Sequence, residues 1–233
     1  MTDLSAILFD FFGTLVTYEP DRSRLTYAAS HRLASSLGYP SNHDRFVADW
    51  NAASSELESL SAESHVEFSM TDAARSFAVR CDLELEDDAT VELGSCFVRE
   101  WQQHVVPVAG AAEMVKRLAA IHRVGIVSNT HDPQMVPAML DTMSLSDVMS
   151  VVMLSIDHGF RKPHSSIYMR TLELLDVAAS RVLFVGDSYV ADYEAPTQLG
   201  MRALLIGGAP SLPVPDEHRL ASVLDAETAL RLP

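Results

Sequence analysis

Four parts of the chain carry side chains whose types could act together in chemistry. Asp10 follows the apolar run 6–9, which is long enough for a buried strand, and Gly13 lets the backbone turn sharply behind it. Ser128, Lys162 and Asp187 stand at strand ends or in loops further along the chain. Carboxylates can attack a substrate or bind a cation, and lysine and serine can hold anionic oxygens. These residues are therefore the candidates for a functional site.

Each candidate also has an ordinary structural explanation. Asn129 and Asp187 could cap the helices that follow them, Lys162 could be a solvated loop residue, and Asp192 could lie on an exposed helix face. These explanations weaken when the residues are taken together, because all of them fall at the same predicted edge of one sheet. Ligands of open parallel sheets bind at that edge, beyond the carboxyl ends of the strands. We interpret the set as one site.

The segments that must position these residues alternate between strand and helix. Apolar runs predict strands at residues 6–9, 123–127, 151–154, 181–185 and 202–206. Helical periodicity predicts helices at 111–120, 165–176 and 225–230. Two further helices are expected, one that begins at Asp132-Pro133 despite Pro137 and one that Gly200 ends. Such alternation predicts an α/β fold with a doubly wound parallel sheet.

The segment at residues 17–104 follows a different pattern. Aromatic and leucine residues recur there at helical spacing, as at Phe46 and Trp50. Amphipathic stretches in this part predict helices at 22–37 and 64–80. We predict a small all-helical domain inserted into the α/β core.

The composition argues against several classes of partner. The 233 residues include 17 Lys and Arg against 32 Asp and Glu, a formal net charge of −15. This charge disfavours binding to nucleic acid or to an anionic membrane. The chain has 2 cysteines, too few for a disulfide framework. No apolar run reaches membrane-spanning length and no secretion signal stands at the N-terminus, so we expect a cytoplasmic protein that binds no membrane.

In this order the candidate motifs resemble those of the haloacid dehalogenase (HAD) superfamily of hydrolases, in the subclass with a helical cap inserted after the first motif. The matching motifs are Asp10-Phe11-Phe12-Gly13-Thr14-Leu15, Val127-Ser128-Asn129, Arg161-Lys162-Pro163, and Gly186-Asp187-Ser188 with Asp192. The resemblance covers the whole chain. It implies a HAD-like, Rossmannoid core domain at residues 1–16 and 105–233, and a helical cap domain at 17–104 that closes over the site.

The resemblance assigns the acidic residues to a nucleophile and a metal site. Asp10 would attack the substrate and form a covalent aspartyl intermediate. Asp10, Asp187 and the main-chain carbonyl of Phe12 would bind Mg²⁺, which prefers oxygen ligands and would screen Asp10 from an anionic substrate. Asp192 would orient the lysine or the water shell of the metal, and Ser188 would serve mainly as a helix cap.

Further residues are implied to hold the substrate. Lys162 and the Ser128 hydroxyl would bind the oxygens of the transferring group as their charge changes. Thr14 and Asn129 belong to the same catalytic motifs. The expected partner is a small anionic molecule, in the first place a phosphorylated metabolite, and the chain is expected to be a monomer or a homodimer.

One position departs from the pattern of the phosphatases in the family. They carry a second Asp two residues after the nucleophile, which protonates the leaving oxygen, and this chain has Phe12 there. The loss of a placed general acid–base costs about 10²–10⁴ in rate. The first alternative is a Mg²⁺-dependent phosphatase whose acid comes from elsewhere, with His131 and Glu19 as candidates. Its leaving group could also need no proton, as in an acyl phosphate.

The second alternative is a 2-haloacid dehalogenase, whose branch also has an aromatic residue in place of the second Asp. Halide leaves without a proton, but that branch needs no metal and replaces the Asp that corresponds to Asp187. Its halide-binding arginine lies in the cap. The candidates here are Arg22, Arg24, Arg32 and Arg45.

The third alternative is a catalytically weak member that binds a metabolite or a protein partner, and Phe12 is its only support. The phosphatase is favoured over the dehalogenase because Asp187 and Asp192 would repel each other near Asp10 without a cation.

Overall fold

A computed structural model of the chain describes residues 4–19 and 25–230. The chain divides into two compact units, which are described separately. The α/β unit comprises Met1–Thr17 and Val106–Pro233, and the helical unit comprises Tyr18–Val105. The predicted division at 17–104 differs by one residue at each end. Thr17 belongs to the α/β unit because it pairs with Val106 in a short antiparallel ladder.

Eight strands and ten α-helices lie in the described part of the chain. The strands are β1 Ala6–Phe9, β2 Val16–Thr17, β3 Val106–Pro107, β4 Arg123–Ser128, β5 Met149–Leu154, β6 Val182–Gly186, β7 Arg202–Ile206 and β8 Arg219–Leu220. The α-helices are α1 Ala28–Ser36, α2 His43–Ser64, α3 Met70–Arg80, α4 Asp87–Gln102, α5 Ala111–Ala119, α6 Met135–Thr142, α7 Ser155–His158, α8 Ser165–Leu175, α9 Ala195–Gln198 and α10 Ala226–Ala229. A π-helix covers Tyr189–Glu194, and short 3₁₀-helices cover Ser146–Val148, Ala179–Arg181, Asp216–His218 and Val223–Asp225.

The α/β unit is built on a six-stranded sheet in the order β5-β4-β1-β6-β7-β8, and each neighbouring pair is parallel. From β1 the chain first extends the sheet through β4 and β5 and then returns to extend it on the other side. The order therefore reverses between β1 and β6, and such a switch point is where doubly wound sheets bind ligands. The predicted α/β fold with a doubly wound parallel sheet is confirmed.

The central strand β1 is buried on both faces. Ala6 and Leu8 pack with α8 and with the apolar residues of β6 and β7, while the alternate residues Ile7 and Phe9 are also fully buried. A strand covered on both faces needs an apolar run without alternation, which is the pattern of the sequence here. Paired on both sides, β1 is a rigid support for the residue that follows it.

Helix boundaries in the α/β unit depend on side chains that cap them. The predicted helix start at Asp132-Pro133 lies one turn too early, because the Asp132 carboxylate accepts hydrogen bonds from the backbone of Gln134 and Met135 and α6 begins only there. Pro137 falls in the first turn of α6, where a missing N–H leaves no helical bond unmade. The helix expected before Gly200 is a π-helix followed by α9.

The helical unit has a core of aromatic rings. Phe97 stacks between Tyr27 at 4.0 Å and Trp50 at 4.3 Å between ring centroids, and Phe46 and Phe77 pack beside Trp50. These rings bury large apolar areas in a region of only four helices, which explains their helical spacing.

Two helices of this unit differ from the predicted bounds. The helix predicted at 64–80 begins at Met70, because Ser69 and Asp72 form a capping box and His65 ends α2 with a positive φ of 55°. The helix predicted at 22–37 begins at Ala28, and its predicted first residues lie outside the described part of the chain. Across the described residues, every helix is too short or too polar to cross a membrane.

Candidate active site

Asp10 is presented by the end of β1. Its backbone N–H donates to the Val185 carbonyl at 2.9 Å, so the pairing of β1 with β6 extends one residue past the strand and fixes the Asp10 main chain. The turn behind it closes on the Phe11 carbonyl, and Gly13 adopts a φ of 81°. Thr14, fully buried in this turn, donates a long hydrogen bond of 3.4 Å to Asp10 Oδ2. Asp10 as a whole is 6% exposed.

Lys162 places one ammonium between two carboxylates. Its Nζ donates to Asp10 Oδ1 at 2.8 Å and to Asp192 Oδ1 at 2.7 Å, and the residue is 4% exposed. The ammonium also lies 5.2 Å from the centre of the Phe184 ring, a favourable position for a cation. The loop between α7 and α8 thus brings Lys162 together with Asp10, as the sequence analysis expects, although 152 positions separate them.

The loop after β6 contributes two carboxylates with different surroundings. Asp192 is 1% exposed and uses both oxygens, one for Lys162 and the other to accept the Ser188 N–H at 2.9 Å. Asp187 is exposed and lies so close to Gly13 that a Cβ at that glycine would clash with its carboxylate. The Ser188 side chain accepts the Ala191 N–H and so caps the π-helix.

Carboxylate oxygens of Asp10, Asp187 and Asp192 all lie within 4.8 Å of one another. Lys162 supplies one ammonium to this cluster of three carboxylates. If all three are ionised the cluster carries an excess of two negative charges, and like charges this close disfavour each other's ionisation. The donor set is oxygen only, which suits a hard divalent cation such as Mg²⁺.

The pKa values of the cluster follow from burial and from these neighbours. Burial raises the pKa of Asp10 to about 7; Lys162 opposes this shift, and the charges of Asp192 and Asp187 add to it. Burial and the Asp192 charge also raise the pKa of Asp187 above its ordinary value. Burial would lower the pKa of Lys162, but Asp10 and Asp192 outweigh it and the pKa lies above its ordinary value. The lysine is therefore a permanent cation in this site.

Ser128 is the last residue of β4, and Asn129 follows it at the same edge of the sheet. Ser128 is fully buried, and its hydroxyl makes a long bond of 3.4 Å to the Asn129 carbonyl. The Asn129 side-chain amide is hydrogen-bonded to the main chain of Lys162. Its Oδ1 accepts the Lys162 N–H at 2.7 Å, and its Nδ2 donates to the Lys162 carbonyl at 3.0 Å.

Phe12, the residue that departs from the phosphatase pattern, is half-buried in the turn after β1. Its ring packs edge-on against Phe11 with 5.1 Å between centroids, and its backbone bridges to Val16. His131, a candidate substitute acid, is half-buried beyond β4, and Glu19, the other candidate, belongs to the helical unit. Neither is thereby assigned a role.

Of the arginines considered for a halide site, Arg32 and Arg45 belong to the helical unit. Arg22 and Arg24 lie outside the described residues. Arg32 is exposed on α1, and Arg45 donates from Nε to Asp49 at 2.9 Å.

Sequence reasoning missed the roles of two buried residues that shape the site. Ser155, the first residue after β5, bonds both main-chain groups of Thr130 in the loop after β4. Gly186 leaves room for Asp192, whose carboxyl group would collide with any Cβ at that position. The signals were present, since a serine directly follows a predicted strand and a glycine directly precedes Asp187, but neither indicates its partner.

A doubly wound sheet with a buried lysine and clustered carboxylates at its switch point has the layout of a hydrolytic enzyme site. Comparison with known proteins identifies the family. The family model of haloacid dehalogenase-like hydrolases matches residues 4–200, so the chain belongs to this family of hydrolases.

Relatives with a described activity include phosphatases. The chain is 27% identical over 208 residues to ribulose-1,5-bisphosphate 5-phosphatase of Halopiger xanaduensis, which covers 86% of this chain and 84% of that protein. It is also 29% identical over 114 residues to haloacid dehalogenase-like hydrolase domain-containing protein 3 of Homo sapiens, a match of 46% of this chain and 45% of that protein.

Solved structures with the same fold belong to both branches of the family. A 2-haloacid dehalogenase from Pseudomonas syringae pv. Tomato DC3000 superposes with a TM-score of 0.74 at 20% identity, over 97% of this chain and 98% of that one. A HAD phosphatase from Thermococcus onnurineus superposes with a TM-score of 0.66 at 22% identity, over 98% of each chain. At this identity the likeness concerns the fold and does not separate the two activities.

Proposed function

We propose that the protein is a Mg²⁺-dependent phosphatase that hydrolyses a small phosphorylated metabolite through a covalent intermediate on Asp10. The observation that carries the proposal is the ratio of charges at the site, three carboxylates within 4.8 Å of one another and a single ammonium. Such a cluster is stabilised when a divalent cation joins it.

The three carboxylates differ in how well they are placed to bind such a cation. Asp192 already spends one oxygen on Lys162 and the other on the Ser188 N–H, so it is better suited to orient its neighbours. Asp187 is exposed at the edge, and Asp10 Oδ2 accepts only a long bond from Thr14 among the described residues. Asp10 and Asp187, with the main-chain carbonyl of Phe12, would therefore hold the metal. Bound Mg²⁺ supplies charge that offsets repulsion between Asp10 and a phosphate.

The reaction would proceed in two displacements at phosphorus. A carboxylate oxygen of Asp10 attacks and forms an O–P bond, while the bond to the leaving oxygen breaks and its electron pair departs with that oxygen. Water then attacks the aspartyl phosphate, which releases inorganic phosphate and restores Asp10. Lys162, held by Asp10 and Asp192, keeps its positive charge through both steps and stabilises the phosphoryl oxygens. The Ser128 hydroxyl would donate to the same oxygens.

The relatives support a small phosphorylated substrate. One is a phosphatase for ribulose 1,5-bisphosphate, and a second, from Pyrococcus abyssi, is a glyceraldehyde 3-phosphate phosphatase that is 28% identical over 98 residues, or 42% of this chain and 41% of that protein. The helical unit would act as the cap that selects the substrate, as the family resemblance implies.

A 2-haloacid dehalogenase is the second candidate, and Phe12 is the observation that favours it. An aromatic side chain beside the nucleophile gives no proton to a leaving group, and halide needs none. Asp187 argues against this candidate, because an exposed carboxylate near Asp10 would repel an anionic halo acid unless a cation were present.

A substrate panel tests the choice between these activities. Purified protein would be incubated with phosphate monoesters, acyl phosphates and 2-halo acids, each with Mg²⁺ and with EDTA, and release of phosphate or halide would be measured. We expect phosphate release that vanishes in EDTA and returns with Mg²⁺. Halide release that persists in EDTA would replace the phosphatase by the dehalogenase, and phosphate release that EDTA does not change would reject the metal site.

A further inference from the structure

The Asn129 side chain forms a closed pair of hydrogen bonds with one residue of the neighbouring loop. Its Oδ1 accepts the main-chain N–H of Lys162 at 2.7 Å, and its Nδ2 donates to the carbonyl of the same residue at 3.0 Å. A side-chain amide matches this pattern in only one orientation, because oxygen must face N–H and nitrogen must face the carbonyl. Both polar main-chain groups of Lys162 are thus held by a single side chain.

Lys162 needs such support more than a surface lysine would. Its ammonium must reach Asp10 and Asp192 together, at 2.8 and 2.7 Å, in a position where Lys162 is almost fully buried. A displaced main chain would leave a buried charge without one of its partners, which is costly. Pro163, the next residue, has no N–H and offers the loop one main-chain tie fewer.

We propose that Asn129 is a positioning residue, which sets the placement of the Lys162 ammonium by holding the main chain of Lys162 and acts on the reaction only through that lysine. The amide oxygen and one amide hydrogen are used in this pair. The catalytic consequence rests on the proposed phosphatase function, whereas the positioning itself does not.

The chain contains a matched control, because Thr130, the residue after Asn129, is held in the same way by Ser155. The Ser155 hydroxyl accepts the Thr130 N–H at 2.9 Å and donates to the Thr130 carbonyl at 3.2 Å. Ser155 and Thr130 are buried. Ser155→Ala therefore removes the same kind of reciprocal pair from the same loop, but the pair that it removes does not include Lys162.

Lysine-selective ¹⁵N labelling gives a direct test, because Lys116 and Lys162 are the only lysines in the sequence. Lys116 is exposed on α5 and supplies an internal reference. In Asn129→Ala, we expect the backbone amide of Lys162 to lose its hydrogen-bonded shift and its ammonium to exchange faster with water. In Ser155→Ala both signals should stay in place. Unchanged Lys162 signals in a folded Asn129→Ala protein would overturn the proposal.

A double-mutant cycle tests the route by which Asn129 acts. With a phosphate monoester as substrate, Asn129→Ala should lower kcat/KM by about 10- to 100-fold, the range found when a supporting partner of a site residue is removed. In a Lys162→Met background, the same substitution should lower kcat/KM by less than about two-fold, since the lysine through which it acts is gone. A full multiplicative loss in that background would show that Asn129 contacts the substrate directly.

The two arms separate this proposal from the proposed function. If no phosphatase activity is found but the Lys162 signals respond to Asn129→Ala, positioning stands and the function fails. If the protein is an active phosphatase and the signals do not respond, the reverse holds. Should Asn129→Ala not fold, Asn129→Asp keeps the acceptor for the Lys162 N–H and loses the donor. Its Lys162 amide should then remain bonded while kcat/KM falls, and a wild-type kcat/KM would contradict the proposal.

Discussion

Two buried aspartates, one in each unit, carry opposite consequences of burial. Asp10 is 6% exposed and Asp49, on α2 of the helical unit, is 7% exposed. Burial raises the pKa of Asp10 to about 7, despite Lys162. Burial also acts to raise the pKa of Asp49, but hydrogen bonds from Arg45 and Tyr39 outweigh it and the pKa lies below its ordinary value.

The difference comes from the partners that each carboxylate has. Asp49 accepts from the Tyr39 hydroxyl and from Arg45 Nε, both at 2.9 Å, and Arg80 lies 4.0 Å away. Asp10 shares one ammonium with Asp192 and has Asp187 close by. A carboxylate that accepts hydrogen bonds from several donors serves a structural role. A carboxylate that competes with others for one cation marks a place prepared for a further ligand.

Glu100 of α4 is a second carboxylate of the helical unit with several donors. Its carboxylate accepts the backbone N–H groups of Ala29 and Ser30 and the Ser30 hydroxyl, at 2.6 to 2.8 Å. It thereby caps the first turn of α1, where the N-cap residue Tyr27 supplies no side-chain capping hydrogen bond. Burial acts to raise the pKa of Glu100, but these hydrogen bonds outweigh it and the pKa lies below its ordinary value.

The largest expected effect is the difference in turnover between the same substitution at Asp10 and at Asp49. Asp10→Asn should lower turnover by at least about 10⁴-fold, because an amide cannot act as the nucleophile, while the fold is kept. Asp49→Asn should leave kcat within about two-fold of wild type. Steady-state kinetics on the substrate found by the panel, with circular dichroism of both variants, would check this. Substantial residual turnover in Asp10→Asn would rule out the covalent mechanism.

The next effect concerns the space that Asp187 occupies. Gly13 has a φ of 81° and a Cβ there would clash with the Asp187 carboxylate, so Gly13→Ala should displace that carboxylate and lower kcat/KM by about 10- to 100-fold. Gly207, with a φ of 66° and no atom near its Cβ position, has the same kind of backbone. Gly207→Ala bears the cost of about 1 kcal/mol for a left-handed residue without the clash. Thermal unfolding would measure the stability that each variant loses, and only Gly13→Ala should raise the Mg²⁺ concentration for half-maximal activity. Equal activity in both would contradict the placement of Asp187.

A smaller effect is expected from adding an acid to the site. Phe12→Asp should restore a proton donor beside the leaving oxygen and raise turnover of alkyl phosphates by about 10-fold, out of the roughly 10²–10⁴ that such a group can supply. Aryl phosphates, whose leaving groups depart unaided, should gain much less. Rates for the two substrate classes are compared on the same preparation, because damage to the fold would lower both. Flat alkyl phosphate turnover in a folded variant would show that Phe12 belongs to the substrate pocket.

The smallest effect lies in the stability of the helical unit. Asp49→Asn should lower the free energy of unfolding by about 1–2 kcal/mol at pH 7, since a charged acceptor is lost while the exposed Arg45 contributes little. The pKa of Asp49 is lowered in the folded state, so its stabilisation is complete above the ordinary value of about 3.9 and is lost as pH falls below it. The difference between wild type and variant should therefore shrink below about pH 4.

Urea unfolding followed by tryptophan fluorescence suits this measurement, because both tryptophans, Trp50 and Trp101, lie in the helical unit. A difference that stays constant from pH 7 to the acid range would mean that the ionised carboxylate of Asp49 is not what stabilises the unit.

Much of the α/β fold could be predicted from local pattern. The strands predicted at 123–127 and 202–206 match β4 and β7 to within one residue, because each apolar run is bounded by polar or turn residues. The start of α3 is predicted too early, at residue 64, whereas the helix begins at Met70. Periodicity continues across the break between α2 and α3, and the capping box of Ser69 and Asp72 that ends it is a local signal weaker than the apolar pattern.

The candidate site divides in the same way. Its residues could be named from the sequence because strand ends, turns and chemical types are local properties, and the family resemblance put them in order. Their full pairing could not, because the resemblance left open whether Asp192 orients the lysine or the water shell of the metal. The contact of Asp192 with Lys162 depends on how the π-helix after β6 is wound.

The sequence by itself determined where the strands end and which reactive side chains stand there, since both follow from residues next to each other in the chain. Only the tertiary structure decided what each side chain contacts. Lys162 contacts Asp10 across 152 positions, and Asn129 contacts Lys162 across 33, because the sheet order β5-β4-β1 places the strands that precede these residues side by side. The pKa of Asp10 lies above its ordinary value and that of Asp49 lies below it, because the fold gives the two carboxylates different contacts. An aspartate is the same residue in both places, and its charge is governed by neighbours that the fold brings to it.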